Sequence, residues 1–412
     1  MNIAEKKRFL GNLLSLATLQ GLNYILPLLT LPYLVRVLGA EKFGLIAFAT
    51  AVVGYFIVLT DYGFNFSATR EVANHRDDKN KLVEIFSSVM IIKVLLLLIS
   101  FVILLFLIIS FEKIGTDALL YILTFGSVIG QVLFPVWFFQ GVERMKYITI
   151  INIISKTIFT VAIFLLVKQT SDYLLVPILT SVGIIVASLI SLYIVFFNFK
   201  VKFKFQKIAT IKQYLKGGSP LFYTSAMSNL LTSSGVIVLS LVANNTVVGY
   251  FSALEKLFRA VVGLFTPLTQ ALYPISCNKV QDPSIAKSYI RKLLYFIGGG
   301  ALCVALGFAI FSEYIVTTMY GKEFAAYSYI LATMMIWLFF GVINNIFGIQ
   351  YLSASKNDKY YMYSFFIAGI ITVLLNTLLI PYFLINGIIF SMIFGEILLT
   401  VCMIYFILRF KI

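Results

Sequence analysis

The stretch Val247–Pro274 reads VVGYFSALEKLFRAVVGLFTPLTQALYP. It is apolar enough to lie in a bilayer, yet its first half carries Glu255, Lys256 and Arg259. A charge at the middle of a membrane helix costs about 2.5–3.5 kcal/mol on insertion scales. A chain tolerates such charges only where they meet each other or face a polar cavity. On a helix, 255 and 259 are four apart and 256 and 259 three apart, so the three share a broad face. Ala260 and Gly263 continue that face with small side chains. The expectation is a helix whose charged face lines a wet, cationic chamber.

The flanking sequence supports a membrane setting. The 412 residues are 60% hydrophobic and 12% charged, with mean hydropathy +0.98. That leaves too few polar residues to cover a soluble globular protein of this size. Apolar blocks of roughly 20 residues, the length that spans the hydrocarbon core, recur along the whole chain. A membrane β-barrel would show alternating segments of about ten residues instead. The sequence therefore predicts an all-α membrane protein with about twelve transmembrane helices. They are placed near 13–35, 43–66, 85–109, 118–140, 148–167, 173–198, 218–242, 247–274, 293–316, 325–350, 361–383 and 386–408. At the N-terminus, MNIAEKKRFLGNLLSL lacks an Ala-x-Ala-like cleavage site, and its apolar run continues to Val35. This predicts a retained first helix.

Charge sets the orientation. Of the 32 lysines and arginines, 23 fall in alternate loops and the termini on one side. Only Arg36, Lys42, Lys113, Lys168 and Lys322 fall on the other, and Lys93, Lys156, Lys256 and Arg259 lie within spans. Such a bias predicts that both termini are cytoplasmic, and it fits an even number of helices. The net charge of +15 is thus a topology signal and a contact for anionic membrane lipids, with no nucleic-acid partner implied.

Composition also excludes several chemistries. Cys277, Cys303 and Cys402 are scattered, so no disulfide framework or metal spacing is present. His75 is the only histidine and lies in a charged loop, which excludes a histidine-clustered metal centre and a Ser-His-Asp triad elsewhere. No Walker-type glycine loop occurs. The expected outer loops are too short to house a glycosyl-transfer or ligase site. No catalytic residue, metal or cofactor is predicted, and the chain is not read as an enzyme.

The chain repeats a pattern. Leu38–Ala47 leads into helix two and Val242–Ser252 into helix eight, each as a turn followed by apolar-Gly-apolar-apolar-small residues. Gln140 with Met145-Lys146-Tyr147 parallels Gln350 with Asp358-Lys359-Tyr360. Six helices per half give both halves the same orientation. This predicts two six-helix bundles, 1–205 and 206–412, around a central cavity.

Within that frame Arg259, Lys256 and Lys156 are candidate substrate-binding cations of the lumen, since arginine grips phosphate bidentately. The bland alternative for Arg259 is an ion pair with Glu255 that only holds helices together. Glu396, in the middle of helix twelve, is a coupling carboxylate or a structural ion-pair partner, and Glu255 is placed beside it in that class. Asp61, Arg70 and Glu71 are a candidate cytoplasmic gate, against a solvated helix end. Lys93 reads chiefly as a lysine long enough to snorkel. Asn229, Asn344, Asn345 and Asn376 suit sugar contacts or interhelical hydrogen bonds.

Four stretches resemble the Wzx-type polysaccharide flippases of the multidrug/oligosaccharidyl-lipid/polysaccharide exporter superfamily. They are Leu31–Gly44 (LPYLVRVLGAEKFG), Asp61–Phe64 with Ser67–Glu71 (DYGF, SATRE), Pro135–Met145 (PVWFFQGVERM) and Val248–Ala253 (VGYFSA) with the charges after it. The resemblance implies flipping of an undecaprenyl-diphosphate-linked glycan repeat unit across the bacterial inner membrane, for O antigen or another surface polysaccharide. It implies alternating access between two bundles, an ion gradient as the power source, and a polysaccharide polymerase and chain-length regulator as partners. A drug/cation antiporter of the same superfamily is the alternative within transport, and a polysaccharide polymerase or ligase the alternative from another class.

Overall fold

A computed structural model describes the backbone of residues 3–409. Side chains are described for 21 and 26–409, apart from 220, 224, 228, 231, 267, 270, 271, 274 and 283. Lys6, Lys7, Arg8 and Lys411 of the topology signal lie outside these side chains, as do Pro267 and Pro274 of the opening stretch. The described chain is almost entirely helical apart from its connectors, with no strand among the described residues. It separates into two compact units, Met1–Leu230 and Leu231–Ile412.

The first unit runs α1 (Ile3–Asp61), α2 (Phe64–Asn74), α3 (Lys79–Ser110), α4 (Glu112–Gly115), α5 (Ala118–Leu133), α6 (Val136–Gly141), α7 (Lys146–Leu166) and α8 (Leu175–Phe197). α9 (Ile208–Val242) follows across the boundary. The second unit continues with α10 (Asn245–Gly263), α11 (Thr266–Lys279), α12 (Pro283–Leu293), α13 (Gly299–Ile310), α14 (Ser312–Tyr320), α15 (Ser328–Phe347), α16 (Asp358–Phe383) and α17 (Ile385–Arg409). A π-helical turn, Gly348–Ser353, extends α15.

Nine helical stretches among the described residues are long and apolar enough to cross a membrane, or ten if the bent pair Leu221–Met227 and Thr232–Val242 counts as one span. Twelve is reached by also dividing Leu26–Asn74 at Gly39 and adding the broken segment of α10 and α11. Gly39 has φ 74° and ψ 167° inside α1. Only glycine adopts such angles without strain, and the break falls where the sequence places the turn between helices one and two.

Three details explain where helices start and stop. Asp78 caps α3 by accepting from the backbone N–H groups of Asn80 and Lys81 at 2.9 and 3.1 Å. α1 ends at Asp61, short of the expected 66, because Tyr62 and Gly63 are left-handed, with φ 48° and 73°. At Gly63 a Cβ would stand 2.7 Å from the Cβ of Leu221, so only glycine admits α9 so close. The continuous helix expected over 247–274 is also corrected. It breaks after Gly263, where the N–H groups of Leu264 and Phe265 turn back to Val261 and Val262. Pro267 has no N–H and sits in the first turn of α11, where none is needed.

The core of the first unit is an aromatic cluster of fully buried Phe86, Trp137, Phe138 and Phe139 beneath α2, α3 and α6. The opposite side of α3 exposes Leu98, Val102, Phe106 and Ile109, an apolar stripe with helical spacing that suits lipid. In the second unit α10 is interior rather than peripheral. Phe251, Leu254, Leu257, Phe258 and Val261 are all buried, and the Tyr320 hydroxyl donates to the Ala253 carbonyl at 3.0 Å. An interior helix can carry charges that a lipid-facing one cannot.

Candidate functional site

α10 places Glu255 and Arg259 one turn apart, as the spacing predicts. Arg259 donates through Nε at 2.9 Å and Nη2 at 2.6 Å to the same oxygen, Oε1, of Glu255. Nη2 also reaches the Thr232 carbonyl at 3.4 Å. The Glu255 side chain is 10% exposed and that of Arg259 44%. The carboxylate is therefore the sunken partner, and the guanidinium keeps an open edge.

Both line a cavity of about 160 Å³ within the second unit. α9, α15, α16 and α17 supply its other walls, with Thr232, Trp337, Phe365, Thr372, Asn376 and Glu396. The cavity thus holds one cation and two carboxylates, beside an indole, two hydroxyls and one amide. Such a surface can hydrogen-bond a polyhydroxylated ligand and offer a ring face to stack on. Lys256, next to Glu255, is exposed and does not line it.

Glu396 is held by its neighbours. Asn344 donates its amide to the Glu396 carboxylate, and the same nitrogen lies 3.0 Å from the Glu396 carbonyl. The Thr400 hydroxyl donates to Asn344 Oδ1 at 2.6 Å, which fixes which way the amide faces. Glu396 and Trp337 also border a second cavity, with Asn344, Asn345 and Thr269. Close by, the buried Gln350 of the π-helical turn donates to the Thr269 carbonyl at 2.8 Å and accepts from Ser276 at 2.6 Å. π-Helical turns occur often at functional positions, because the extra residue re-aims side chains.

The first unit builds different sites. Asp61, at the end of α1, lines a cavity of about 210 Å³ with Thr60, Asn65, Lys93 and Gln131. Lys93 is only 3% exposed, donates to the Gln131 carbonyl at 3.3 Å and feels the charge of Asp61. The expectation that Lys93 snorkels is overturned. It lies on the buried side of α3 with its head group held at the Gln131 carbonyl, so it does not reach out to the interface. Lys156 lines a separate cavity of about 310 Å³ with Thr30, Asn152, Ser155, Thr160 and Thr180. Arg70 and Glu71 lie on α2 beyond the Gly63 break. Arg70 is exposed, and Glu71 stands 3.9 Å from His75.

The structure thus brings Arg259, Glu255 and Glu396 to one cavity and Asp61 to another, while Lys256 and Lys156 stand apart from both. Sequence reasoning passed over Trp337 and Thr400 and underrated Lys93. One of only two tryptophans, inside an apolar run, was the available signal for Trp337.

Comparison with known proteins places this architecture. One structural likeness is to Lipid II flippase MurJ in an inward closed conformation, with TM-score 0.76 over 96% of this chain and 87% of that one, at 16% identity. An inward-facing multidrug resistance MATE family transporter of the MOP superfamily superposes with TM-score 0.69 over 94% of both chains, at 13% identity. At such identities the likeness is one of fold. Two relatives carry the name "Putative O-antigen transporter". The one from Escherichia coli (strain K12) is 29% identical over 401 residues, 96% of each chain. The one from Shigella dysenteriae is 28% identical over 402 residues, 95% of this chain and 98% of the relative. The model of the family described as polysaccharide biosynthesis protein matches residues 9–278, about two thirds of the chain. This all-α membrane protein belongs to the polysaccharide biosynthesis protein family.

Proposed function

We propose that the chain is a flippase. It moves an undecaprenyl-diphosphate-linked oligosaccharide repeat unit from the cytoplasmic to the outer leaflet of the bacterial inner membrane, for O antigen or another surface polysaccharide. The observation that carries this is the cavity where Arg259, Glu255 and Glu396 meet Trp337 inside an otherwise apolar helical unit. Family membership, relatives named as O-antigen transporters and a fold shared with a lipid II flippase support it.

In this proposal bundles 1–205 and 206–412 alternate access, with both termini cytoplasmic. Arg259, its charge steadied by Glu255, presents its open edge to the diphosphate or to acidic sugar, with Lys256 and Lys156 as further cations along the path. Glu396 is the coupling carboxylate. Asp61, Arg70 and Glu71 form the cytoplasmic gate, and a polysaccharide polymerase and chain-length regulator receive the product. The drug/cation antiporter keeps one supporting observation, the two carboxylates facing one cavity.

Cells deleted for the gene test the proposal. Lipid-linked repeat units should accumulate on the cytoplasmic leaflet, and normal outer-leaflet delivery would sink the flippase assignment. Arg259→Ala should abolish complementation at unchanged protein level, with partial rescue by Arg259→Lys. A broad change in drug resistance with intact polysaccharide would favour the antiporter.

A further inference from the structure

Between α8 and α9 the chain reads Lys200-Val201-Lys202-Phe203-Lys204-Phe205-Gln206-Lys207. Lys212 and Lys216 follow one helical turn apart, and no carboxylate occurs anywhere between Asp172 and Glu255. These six lysines are the longest run of one charge uninterrupted by the other in the chain. Its form in the structure is unusual for a mere connector.

Along the alternation, Val201, Phe203 and Phe205 rise stepwise out of the protein, at 3, 44 and 90% exposure. The Phe203 and Phe205 rings touch edge to face at 5.5 Å, so they share one side. Lys202, Lys204 and Lys207 are exposed beside them. The segment is pinned from below. The Lys204 backbone N–H donates to the hydroxyl of fully buried Ser87 at 3.0 Å. Val201 and Tyr214 belong to the aromatic core, and the Tyr214 hydroxyl donates to Glu84 at 3.1 Å. Burial beside Glu84 pushes that hydroxyl up to about 12, so it stays a donor. Glu84 is also paired with Lys81 at 2.7 Å, so it is not available to offset the six lysines.

We propose that residues 200–216 form a docking site for the headgroups of anionic phospholipids. The location follows from the chain, because the segment joins two helices that lie in the membrane and must sit at its surface. The chemistry follows from the side chains. Two phenylalanines held on one side enter the acyl boundary, and the lysines beside them meet phosphate. A lysine near an anionic membrane surface is drawn to it by coulombic attraction that falls off within a Debye length. An already ordered segment loses little conformational freedom on binding.

The test uses the purified full chain in a mild detergent, titrated with dioleoylphosphatidylglycerol or dioleoylphosphatidylcholine. Bound lipid is counted by native mass spectrometry. The wild type should retain phosphatidylglycerol preferentially. The variant K202Q/K204Q/K207Q should lower that preference about tenfold or more, and F203S/F205S should weaken retention of both lipids. K279Q/K287Q/K292Q, an equal charge change elsewhere, should stay within about twofold of wild type. K202Q/K207Q repeats the measurement if the triple variant folds poorly. An unchanged preference in K202Q/K207Q, or an equal loss in the 279/287/292 variant, overturns the proposal. Displacement of phosphatidylglycerol by equimolar inorganic phosphate also overturns it, by reassigning the patch to a free anion.

Discussion

The two units each set a cation beside a carboxylate in a membrane helix bundle, and they do so in opposite ways. In the second unit the partners are Glu255 and Arg259, one turn apart on α10, and the cation is 44% exposed to the cavity. In the first unit they are Asp61 at the end of α1 and Lys93 in α3, and the cation is 3% exposed. A half-open pair in its own helix is weak as a structural bond, because solvent screens it and either partner can be released. In the first unit Asp61 is half-buried and shares a cavity with the sunken Lys93, which donates to the Gln131 carbonyl, so removing either charge leaves the other less well compensated. The difference teaches which cation is free to serve a ligand. Arg259 keeps an open edge, whereas Lys93 spends its charge within the fold.

The largest test of that contrast removes one partner of the first unit's pair. Asp61→Asn or Lys93→Met should each cost about 3 kcal/mol, the upper end for leaving a buried polar group poorly compensated, read by thermal unfolding in detergent. The double variant should recover most of the loss. A near-wild-type midpoint for either single variant would place Lys93 in water and dissolve the contrast.

Next comes the amide that holds Glu396. Asn344→Leu should cost about 1.5–3 kcal/mol, the worth of a hydrogen bond to a charged group, by the same measurement. It should also lower transport, since the carboxylate then has lost its amide donor. Thr400→Val leaves the Asn344 oxygen without its donor and should cost about 1 kcal/mol. Transport should survive in part, because the amide still reaches Glu396.

The smallest stability effect is expected at the pair proposed to meet the substrate. A double-mutant cycle on Glu255 and Arg259 should give a coupling of only about 0.3–0.5 kcal/mol. A coupling above about 2 kcal/mol would make the pair a structural tie, and it would count against Arg259 as a ligand for phosphate.

Much of this was legible beforehand for reasons that can be named. Hydropathy announces the spans, because a bilayer demands about 20 apolar residues per crossing. The i, i+4 spacing announces Glu255 with Arg259, because helix geometry places such residues together without help from the rest of the fold. Gly39 announces a break, because no other residue rests comfortably at its angles. Charge density alone marks 200–216 as a surface segment.

Other features needed the packed molecule. Asp61 and Lys93 are 32 positions apart, and Asn344 and Glu396 are 52 apart. No local period links either pair, so only the packing of one helix on another brings them within reach. Where α10 ends was set by which carbonyls Leu264 and Phe265 could reach. Burial decided the rest. A lysine deep in an apolar run can snorkel, pair or line a cavity, and the side of α3 that faces the core decides which. The sequence by itself determined an all-α membrane chain, its charge bias and the ion pair within one helix, since these depend on composition and on short-range periodicity. The tertiary structure decided which charges are sunken, which face a cavity and what Glu396 touches, since those depend on contacts between residues far apart in the chain.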